Sequence, residues 1–162
     1  MTTVSVDESF QGRVYPAAGS TAVTADTVRA FARAVRAAHP AHHETVAAQA
    51  LGHADVVAPP TYAVILAQQA ESQFITDPAA GIDFSRVVHA EERFVHHRPI
   101  VAGDDVEAVL HVDRVRIVAG NAMLTTRVEL TLTDGSPVST VTSTLVVRAP
   151  EPAVENTTDE RA

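Results

Sequence analysis

The stretch of sequence that decides the fold runs from Thr61 to Phe74 and reads TYAVILAQQAESQF. Its segment 63–67, Ala-Val-Ile-Leu-Ala, places apolar side chains on every side of a helix. A helix that is apolar all round is buried on most of its sides, whereas a surface helix carries a single apolar stripe. The sequence therefore predicts a long helix from Thr61 to about Phe74 at the centre of the domain.

Extended segments follow this central helix. Apolar residues recur at every second position in 106–112 and again in 124–132, and β-branched residues are frequent in both. This period of two is typical of strands with one buried face. A third extended run covers 85–97, and Gly120-Asn121 and Asp134-Gly135 have the composition of hairpin turns. Several antiparallel strands after one apolar helix predict an α+β domain, in which one curled sheet wraps around the helix.

A shorter helical region precedes the central helix. Thr24 fits the N-cap of a first helix. The apolar residues behind it have helical spacing: Val28, Phe31, Ala32 and Val35. This helix must stop before Pro40, because the residue that precedes a proline avoids the α region. A loop and a short helix over 44–51 then lead towards the central helix.

The composition fits one globular domain. Of the 162 residues, 46% are hydrophobic and 20% are charged, and there is no cysteine, so the core must hold without disulfide bonds. We expect a folded domain over 11–149. We expect disordered tails at 1–10 and 150–162, because both ends are polar and lack hydrophobic periodicity.

Charge and motif content exclude several classes of function. A formal net charge of −8 argues against a nucleic-acid-binding face. The sequence contains no lysine, which excludes a Schiff base, and no glycine-rich phosphate loop, so we expect no cofactor. No apolar run approaches the roughly 20 residues needed to cross a bilayer. No signal-peptide pattern is visible, and we expect a cytoplasmic protein.

Three motifs carry a resemblance to a known family. They are the loop Arg36-Ala37-Ala38-His39-Pro40-Ala41-His42, the segment Val57-Ala58-Pro59-Pro60-Thr61-Tyr62, and residues 94–104, FVHHRPIVAGD. Together they resemble the MaoC-like (R)-specific hydratases and dehydratases of acyl thioesters. In that family the first loop reads Gly-Asp-x-Asn-Pro-aliphatic-His, and its Asp and His are catalytic. The resemblance implies a hot-dog fold, whose unpaired edge strand is usually covered by a second hot-dog domain.

Within this family the chain is most similar to the FAS1-type dehydratase N-terminal branch. That branch includes accessory subunits of the two-subunit (3R)-hydroxyacyl-ACP dehydratases of actinobacterial fatty acid elongation. The resemblance implies an accessory subunit of such a lyase. It would pair with a catalytic MaoC-like subunit, or with a second copy of itself, and shape the pocket for an acyl-ACP or acyl-CoA thioester.

Two catalytic elements of the family are missing from the motifs. Ala37 stands at the position of the family's Asp, and alanine is neither an acid nor a base. Pro60 replaces a Gly whose backbone N–H helps to bind the enolate oxygen, and proline has no N–H to donate. We therefore expect no catalytic residue on this chain and a vestigial His42. The expected substrate-binding residues are Pro59, Thr61, Tyr62 and Phe94.

Other interpretations stay open at the level of sequence. His42 could form an acid–base couple with Glu44 or His43, which would make the chain an active hydratase or dehydratase. Glu71 on the central helix could serve a hot-dog thioesterase, although a solvated glutamate near a helix end is the ordinary expectation. The chain could also be a non-catalytic homodimer that binds acyl thioesters.

Two smaller patterns need a structure to interpret. His39-x-x-His42-His43 has metal-ligand spacing, but no cysteine or placed carboxylate completes a ligand set, so we expect no metal site. Glu91 and Glu92 are adjacent on a predicted strand, so one of them must point inwards. A buried carboxylate at that place would hint at function.

Overall fold

The computed structural model describes residues 6–149, which form three α-helices and six strands. The helices are α1 (Ala25–Ala34), α2 (Thr45–Ala50) and α3 (Ala63–Ile75). The strands are β1 (Val14–Tyr15), β2 (Ser20–Ala22), β3 (Val87–His96), β4 (Asp105–Val118), β5 (Asn121–Leu132) and β6 (Pro137–Val147). Residues 1–5 and the predicted tail at 150–162 lie outside the described residues. No helix within 6–149 has the length and hydropathy of a membrane-spanning segment.

The strands form one antiparallel sheet in the order β1-β4-β5-β6-β3, with β2 also pairing with β4. The turn between β4 and β5 lies one residue earlier than predicted, because Val118 pairs with Asn121 and leaves Ala119 and Gly120 as the turn. Both turn residues have positive φ, 49° and 82°. The two central residues of a type I′ hairpin turn require this conformation.

The central helix α3 packs against the inner faces of β4, β5 and β6. Leu66 and Phe74 of α3 are 2% and 0% exposed, and Leu110 and Leu124 of the sheet are fully buried. The enclosed apolar helix therefore forms the core with the alternating inward residues of the strands. The predicted α+β arrangement, one curled sheet around one helix, is confirmed.

The prediction of a disordered tail over 1–10 is wrong for residues 6–10. A 3₁₀ turn at Glu8–Phe10 is capped by Asp7, whose carboxylate accepts a hydrogen bond from the backbone N–H of Ser9 at 2.8 Å. Phe10 is 2% exposed and stacks on Phe74 with ring centroids 5.8 Å apart. One turn is too short to show hydrophobic periodicity, so this burial becomes visible only when the helix α3 is in place.

The two edges of the sheet differ. β1 and β2 cover the outer edge of β4. β3 lies at the other end of the strand order, and no strand within 6–149 pairs with its outer edge. Val88 and Val95 of β3 are 48% and 41% exposed. An open edge strand with exposed apolar side chains is a surface on which another chain can extend the sheet.

Candidate functional site

The loop that follows α1 carries the first motif. Helix α1 ends with Val35 as its C-cap, and Arg36 then takes a positive φ of 58°. A 3₁₀ turn follows at Pro40–His42, and the Nδ1 atom of His39 caps it by accepting a hydrogen bond from the backbone N–H of Ala41 at 3.2 Å. Local capping therefore determines the shape of this loop.

His42 is fixed by the segment that precedes the central helix. Its Nδ1 lies 2.6 Å from the backbone carbonyl oxygen of Val57, and the N–H of Val57 donates to the carbonyl of Ala41 at 3.0 Å. A carbonyl oxygen can only accept, so Nδ1 carries the proton in this contact. The neutral imidazole then keeps Nε2 as a basic, unprotonated nitrogen.

A groove of about 440 Å³ lies between this loop, the start of the central helix and the turn after β3. Its lining residues are His42, Val57, Ala58, Pro59, Pro60, His96, His97, Arg98, Pro99 and Ile100. None of these described lining residues is an aspartate or a glutamate. Arg98 is held by an ion pair with Asp104 at 2.9 Å. The groove is thus apolar along most of its wall, with imidazole and guanidinium groups at its polar positions.

The wall at the start of the central helix is made by two prolines. A 3₁₀ turn at Pro60–Tyr62 leads into α3, with Pro59 as its N-cap and no side-chain cap. Neither proline has a backbone N–H. The N–H of Tyr62 donates to the carbonyl of Pro59 at 2.9 Å and is occupied by that bond. Pro59, Pro60 and Tyr62 therefore supply no free donor for a developing oxyanion.

The four predicted substrate-binding residues occupy different places. Pro59 lines the groove, whereas Thr61 is exposed and does not line it. Tyr62 is 3% exposed, and its hydroxyl lies 3.0 Å from Oγ1 of Thr27 in α1, so it packs against that helix. Its contact with substrate stays a prediction. Phe94 is half-buried and stacks on the groove residue His96 with ring centroids 5.9 Å apart.

The alternative partners of His42 are not hydrogen-bonded to it, although the rings of His42 and His43 lie edge to face with centroids 6.5 Å apart. Nε2 of His43 donates to the backbone carbonyl of Ala37 at 2.7 Å, and Glu44 is an exposed residue at the N-cap of α2. Within residues 6–149 no hydrogen bond or ion pair joins His42 to either side chain. The same residues contain no cluster of three or more metal-ligating side chains.

Most of the described chain matches one protein family. A model of the FAS1-like dehydratase domain region covers residues 9–141. The chain belongs to this family. The resemblance to MaoC-like hydratases and dehydratases that the three motifs predicted is therefore confirmed, and with it the hot-dog fold.

Two relatives of similar length are UPF0336 proteins. A UPF0336 protein of Saccharopolyspora erythraea is 47% identical over 143 residues, which are 88% of this chain and 92% of the relative. A UPF0336 protein of Clavibacter michiganensis is 49% identical over 143 residues, which are 88% of this chain and 96% of the relative.

Solved structures of dehydratases share the fold. A chain from the C-terminally truncated HadBC (3R-hydroxyacyl-ACP dehydratase) complex of Mycobacterium tuberculosis superimposes with a TM-score of 0.76 and 32% identity, over 85% of this chain and 96% of that chain. A MaoC-like dehydratase superimposes with a TM-score of 0.80 and 32% identity, over 88% of this chain but only 43% of that chain.

The positive φ of Arg36 leads to a test of the loop. Arg36 occupies the first position of the loop motif, where the family pattern has a glycine. A residue with a Cβ is strained at its φ of 58°. Arg36→Gly is expected to raise the free energy of unfolding by about 1 kcal/mol. Chemical denaturation measures this change.

Arg33→Gly is the matched control for this loop. Arg33 is an exposed residue inside α1, where glycine lowers stability by about 1 kcal/mol. The two substitutions should therefore change stability in opposite directions, and a loss in both would contradict strain at Arg36.

Glu71 does not occupy the solvated helix end that the sequence suggested. It is 1% exposed, and Oγ1 of Thr126 in β5 donates a hydrogen bond to its Oε1 at 2.5 Å. Glu71 also lines a second, mostly apolar pocket of about 280 Å³ near Phe84 and His89. Glu71 lies one turn before the end of the sequence pattern, and the pattern does not show that the sheet packs against this part of the helix. Its role in a thioesterase stays a prediction.

Of the adjacent pair on β3, Glu92 points inwards and Glu91 outwards. Oγ of Ser143 in β6 donates to Oε1 of Glu92 at 3.2 Å, whereas Glu91 is exposed. Burial raises the pKa of Glu92 from its ordinary value of 4.5, and the carboxylate of Glu71 raises that pKa further. The sequence-based expectation of one inward carboxylate is met.

Proposed function

We propose that this chain is the catalytically silent accessory subunit of a (3R)-hydroxyacyl-ACP or hydroxyacyl-CoA dehydratase in cytoplasmic fatty acid elongation. One observation carries the proposal. The groove holds a fixed histidine, His42, but none of its described lining residues is a carboxylate, and its helix end begins with Pro59 and Pro60. The groove therefore combines apolar walls and one imidazole with no carboxylate among its described lining residues and no N–H at Pro59 or Pro60.

The reaction itself explains why these losses matter. Dehydration of a 3-hydroxyacyl thioester removes an α-proton and protonates the departing hydroxyl, so it requires both a base and an acid within hydrogen-bond reach. His42 supplies a basic nitrogen, but Ala37 supplies no acid. Charge on the enolate oxygen requires preorganised N–H donors, and loss of one such donor costs about 100- to 1000-fold in rate.

The open edge of β3 supports pairing with a second hot-dog domain. This strand runs for ten residues, Val87–His96, and carries exposed valines beside an unpaired edge. An edge of that length is usually covered in native proteins. In the proposal a catalytic MaoC-like subunit adds to this edge. The HadBC dehydratase, which superimposes on this chain, was solved as a complex, and this agrees with the proposal.

The groove suits the acyl and carrier parts of the substrate. Its volume of about 440 Å³ falls within the roughly 300–1,000 Å³ that is typical of small-molecule sites. Apolar walls favour an acyl chain, since burial of each CH₂ group contributes about 0.8 kcal/mol. Arg98 and the pair His96 and His97 place positive or titratable groups on the same wall.

Enoyl-thioester hydration by the purified chain is the direct test, followed as loss of the conjugated enoyl absorbance. We expect no turnover from the chain alone. We expect turnover after co-expression with a single-domain catalytic MaoC-like subunit from the same genome, with a rate above that of the catalytic subunit alone. His42→Ala in this chain should leave the rate of the pair unchanged.

Two matched surface variants separate pairing from folding. Val88→Arg puts a charge on the β3 edge, whereas Val46→Arg puts the same charge on α2, where Val46 is 77% exposed. We expect only Val88→Arg to abolish both the turnover gained on co-expression and the co-purification of this chain with the catalytic subunit. Robust turnover by the unpaired chain would contradict the silent role and would point to His42 as an active base.

A further inference from the structure

A second pocket lies at the carboxyl-terminal end of the central helix, whereas the groove lies at the start of that helix. The pocket has a volume of about 280 Å³, and its wall is mostly apolar. Helix α3 contributes Glu71, Ser72 and the C-cap residue Thr76, while Phe84 precedes β3 and His89 lies on that strand. None of the described residues that line this pocket also lines the groove. The two sites are therefore separate.

Glu71 is a buried wall residue of this pocket, and one of its carboxyl oxygens is unused. The residue is 1% exposed, and the hydroxyl of Thr126 donates to its Oε1. Its Oε2 is shielded from solvent and has no hydrogen-bond partner among the described residues. Buried acceptors in native proteins are nearly always satisfied, because a missing partner is unfavourable. The terminal torsion of a glutamate is broad, so the carboxyl group can turn towards a donor in the pocket.

The hydroxyl groups of the same wall can only accept further hydrogen bonds. Oγ of Ser72 donates to the carbonyl of Gln69, and Oγ1 of Thr76 donates to the carbonyl of Ser72, both at 2.6 Å. A hydroxyl group has one proton and two lone pairs, so each keeps lone pairs for a ligand but no proton. The amide of Gln68 and the imidazole of His89 complete the polar wall, and each can also accept. These groups favour a ligand with several donors.

The charges around the pocket favour a cation. The carboxyl-terminal end of a helix is the negative end of its dipole, and the last turn of α3 contains no basic residue. The sequence has no lysine, and none of the described lining residues is an arginine. Nδ1 of His89 lies 3.8 Å from Oε2 of Glu92, a further acidic side chain. Within the described wall, no guanidinium or ammonium group offsets the charge of Glu71.

Phe84 gives the pocket an aromatic side. Its side chain is 69% exposed although it lines the pocket. A cation within about 6 Å of a ring centroid is attracted by the negative face of the ring. Ile75 adds an aliphatic surface to the same wall. The combination of an aromatic ring, an aliphatic surface and a carboxylate suits an ammonium group that is attached to an apolar chain.

We propose that this pocket binds an organic cation, namely a primary ammonium group on a short apolar chain. The ammonium group has three donors and no acceptor, and it donates to Glu71 and to the hydroxyl oxygens of Ser72 and Thr76. The apolar chain lies against Ile75 and Phe84. A free amine and a lysine side chain of a second protein chain carry this same group. The proposal concerns a pocket of this chain alone and does not depend on the proposed accessory role.

Binding of n-hexylamine to the purified full chain at neutral pH, measured by isothermal titration calorimetry, tests the proposal. An alkylamine is an ammonium ion at this pH, as a lysine side chain is. n-Hexanol and hexanoate have an alkyl chain of similar length with a neutral and an anionic head group. We expect hexylamine to bind about 10- to 100-fold more tightly than hexanol, as a hydrogen bond to a charged group implies. Hexanoate should bind more weakly than both.

Three variants assign the binding to this pocket. Glu71→Gln should remove most of the preference for hexylamine over hexanol, because a glutamine amide has no negative charge. Glu91→Gln, the matched change at an exposed position of β3, should keep the preference. Phe84→Ala should weaken hexylamine binding about 2- to 5-fold through loss of the cation–π contact. Because Phe84 is exposed, this variant tests the pocket without a change in the core.

Competition with a paired chain distinguishes the two sources of the ammonium group. If a lysine of the catalytic subunit fills the pocket, hexylamine should bind the isolated chain but not the complex. If the pocket takes a free amine, hexylamine should bind both. Equal affinities for hexylamine and hexanol, tighter binding of hexanoate, no binding of hexylamine at millimolar concentration, or an unchanged preference in Glu71→Gln would overturn the proposal.

Discussion

Replacing Phe74 by alanine is expected to lower the free energy of unfolding by about 3–5 kcal/mol. Phe74 is fully buried on α3, and its ring packs against those of Phe10 at 5.8 Å and Tyr15 at 6.2 Å. The substitution removes the ring on which the N-terminal turn and β1 both rest. A loss of this size is a large share of the roughly 5–15 kcal/mol that stabilises a typical domain.

Phe84→Ala is the matched control, because Phe84 is 69% exposed. It should change stability by less than about 0.5 kcal/mol, as surface substitutions usually do. Thermal unfolding followed by circular dichroism should show a midpoint roughly 10 °C lower for Phe74→Ala alone. Equal effects from the two variants would mean that the N-terminal segment does not close the core as described.

Restoring the missing catalytic groups is expected to have the largest effect on activity. The double change Ala37→Asp and Pro60→Gly returns an acid to the loop that holds His42 and a backbone N–H to the start of the helix. An acid or base in place contributes about 100- to 10,000-fold, and an oxyanion donor contributes about 100- to 1000-fold. We expect measurable enoyl-thioester hydration by this variant, and none by the parent chain.

His42→Ala added to the double change supplies the control. The triple variant should lose the gained activity, because the basic nitrogen that Val57 orients would be absent. Circular dichroism must first show that Pro60→Gly leaves the fold intact. A correctly folded double variant without activity would contradict the view that this groove retains the geometry of a working site.

The principal helix and strands could be predicted because each has a local pattern. The apolar run at 63–67 predicted a buried helix, and the period of two predicted the long strands and the inward orientation of one glutamate of the pair 91–92. Thr24 caps α1 as predicted, with its side chain accepting from Thr27 N–H. Such patterns work because each reports which face of one element avoids water.

The misplaced residues share a different cause. Residues 6–10 were expected to be disordered, Glu71 was expected to be solvated, and the packing of Tyr62 against α1 was not foreseen, although its contact with substrate stays a prediction. The burial of each residue depends on a contact with another element: Phe10 stacks on Phe74, Glu71 is bonded to Thr126 of the sheet, and Tyr62 lies against Thr27 of α1. A single sequence carries no direct signal for such long-range contacts.

The sequence by itself determined the fold class and the family, and it predicted missing catalytic groups at Ala37 and Pro60, because these follow from local periodicity and from motif positions. Only the tertiary structure decided that His42 is hydrogen-bonded to Val57, that the groove wall formed by residues within 6–149 contains no carboxylate, and that Thr126 and Ser143 bond to Glu71 and Glu92. The physical reason is that side chains from separate elements acquire their neighbours, and therefore their charge states, only when those elements pack.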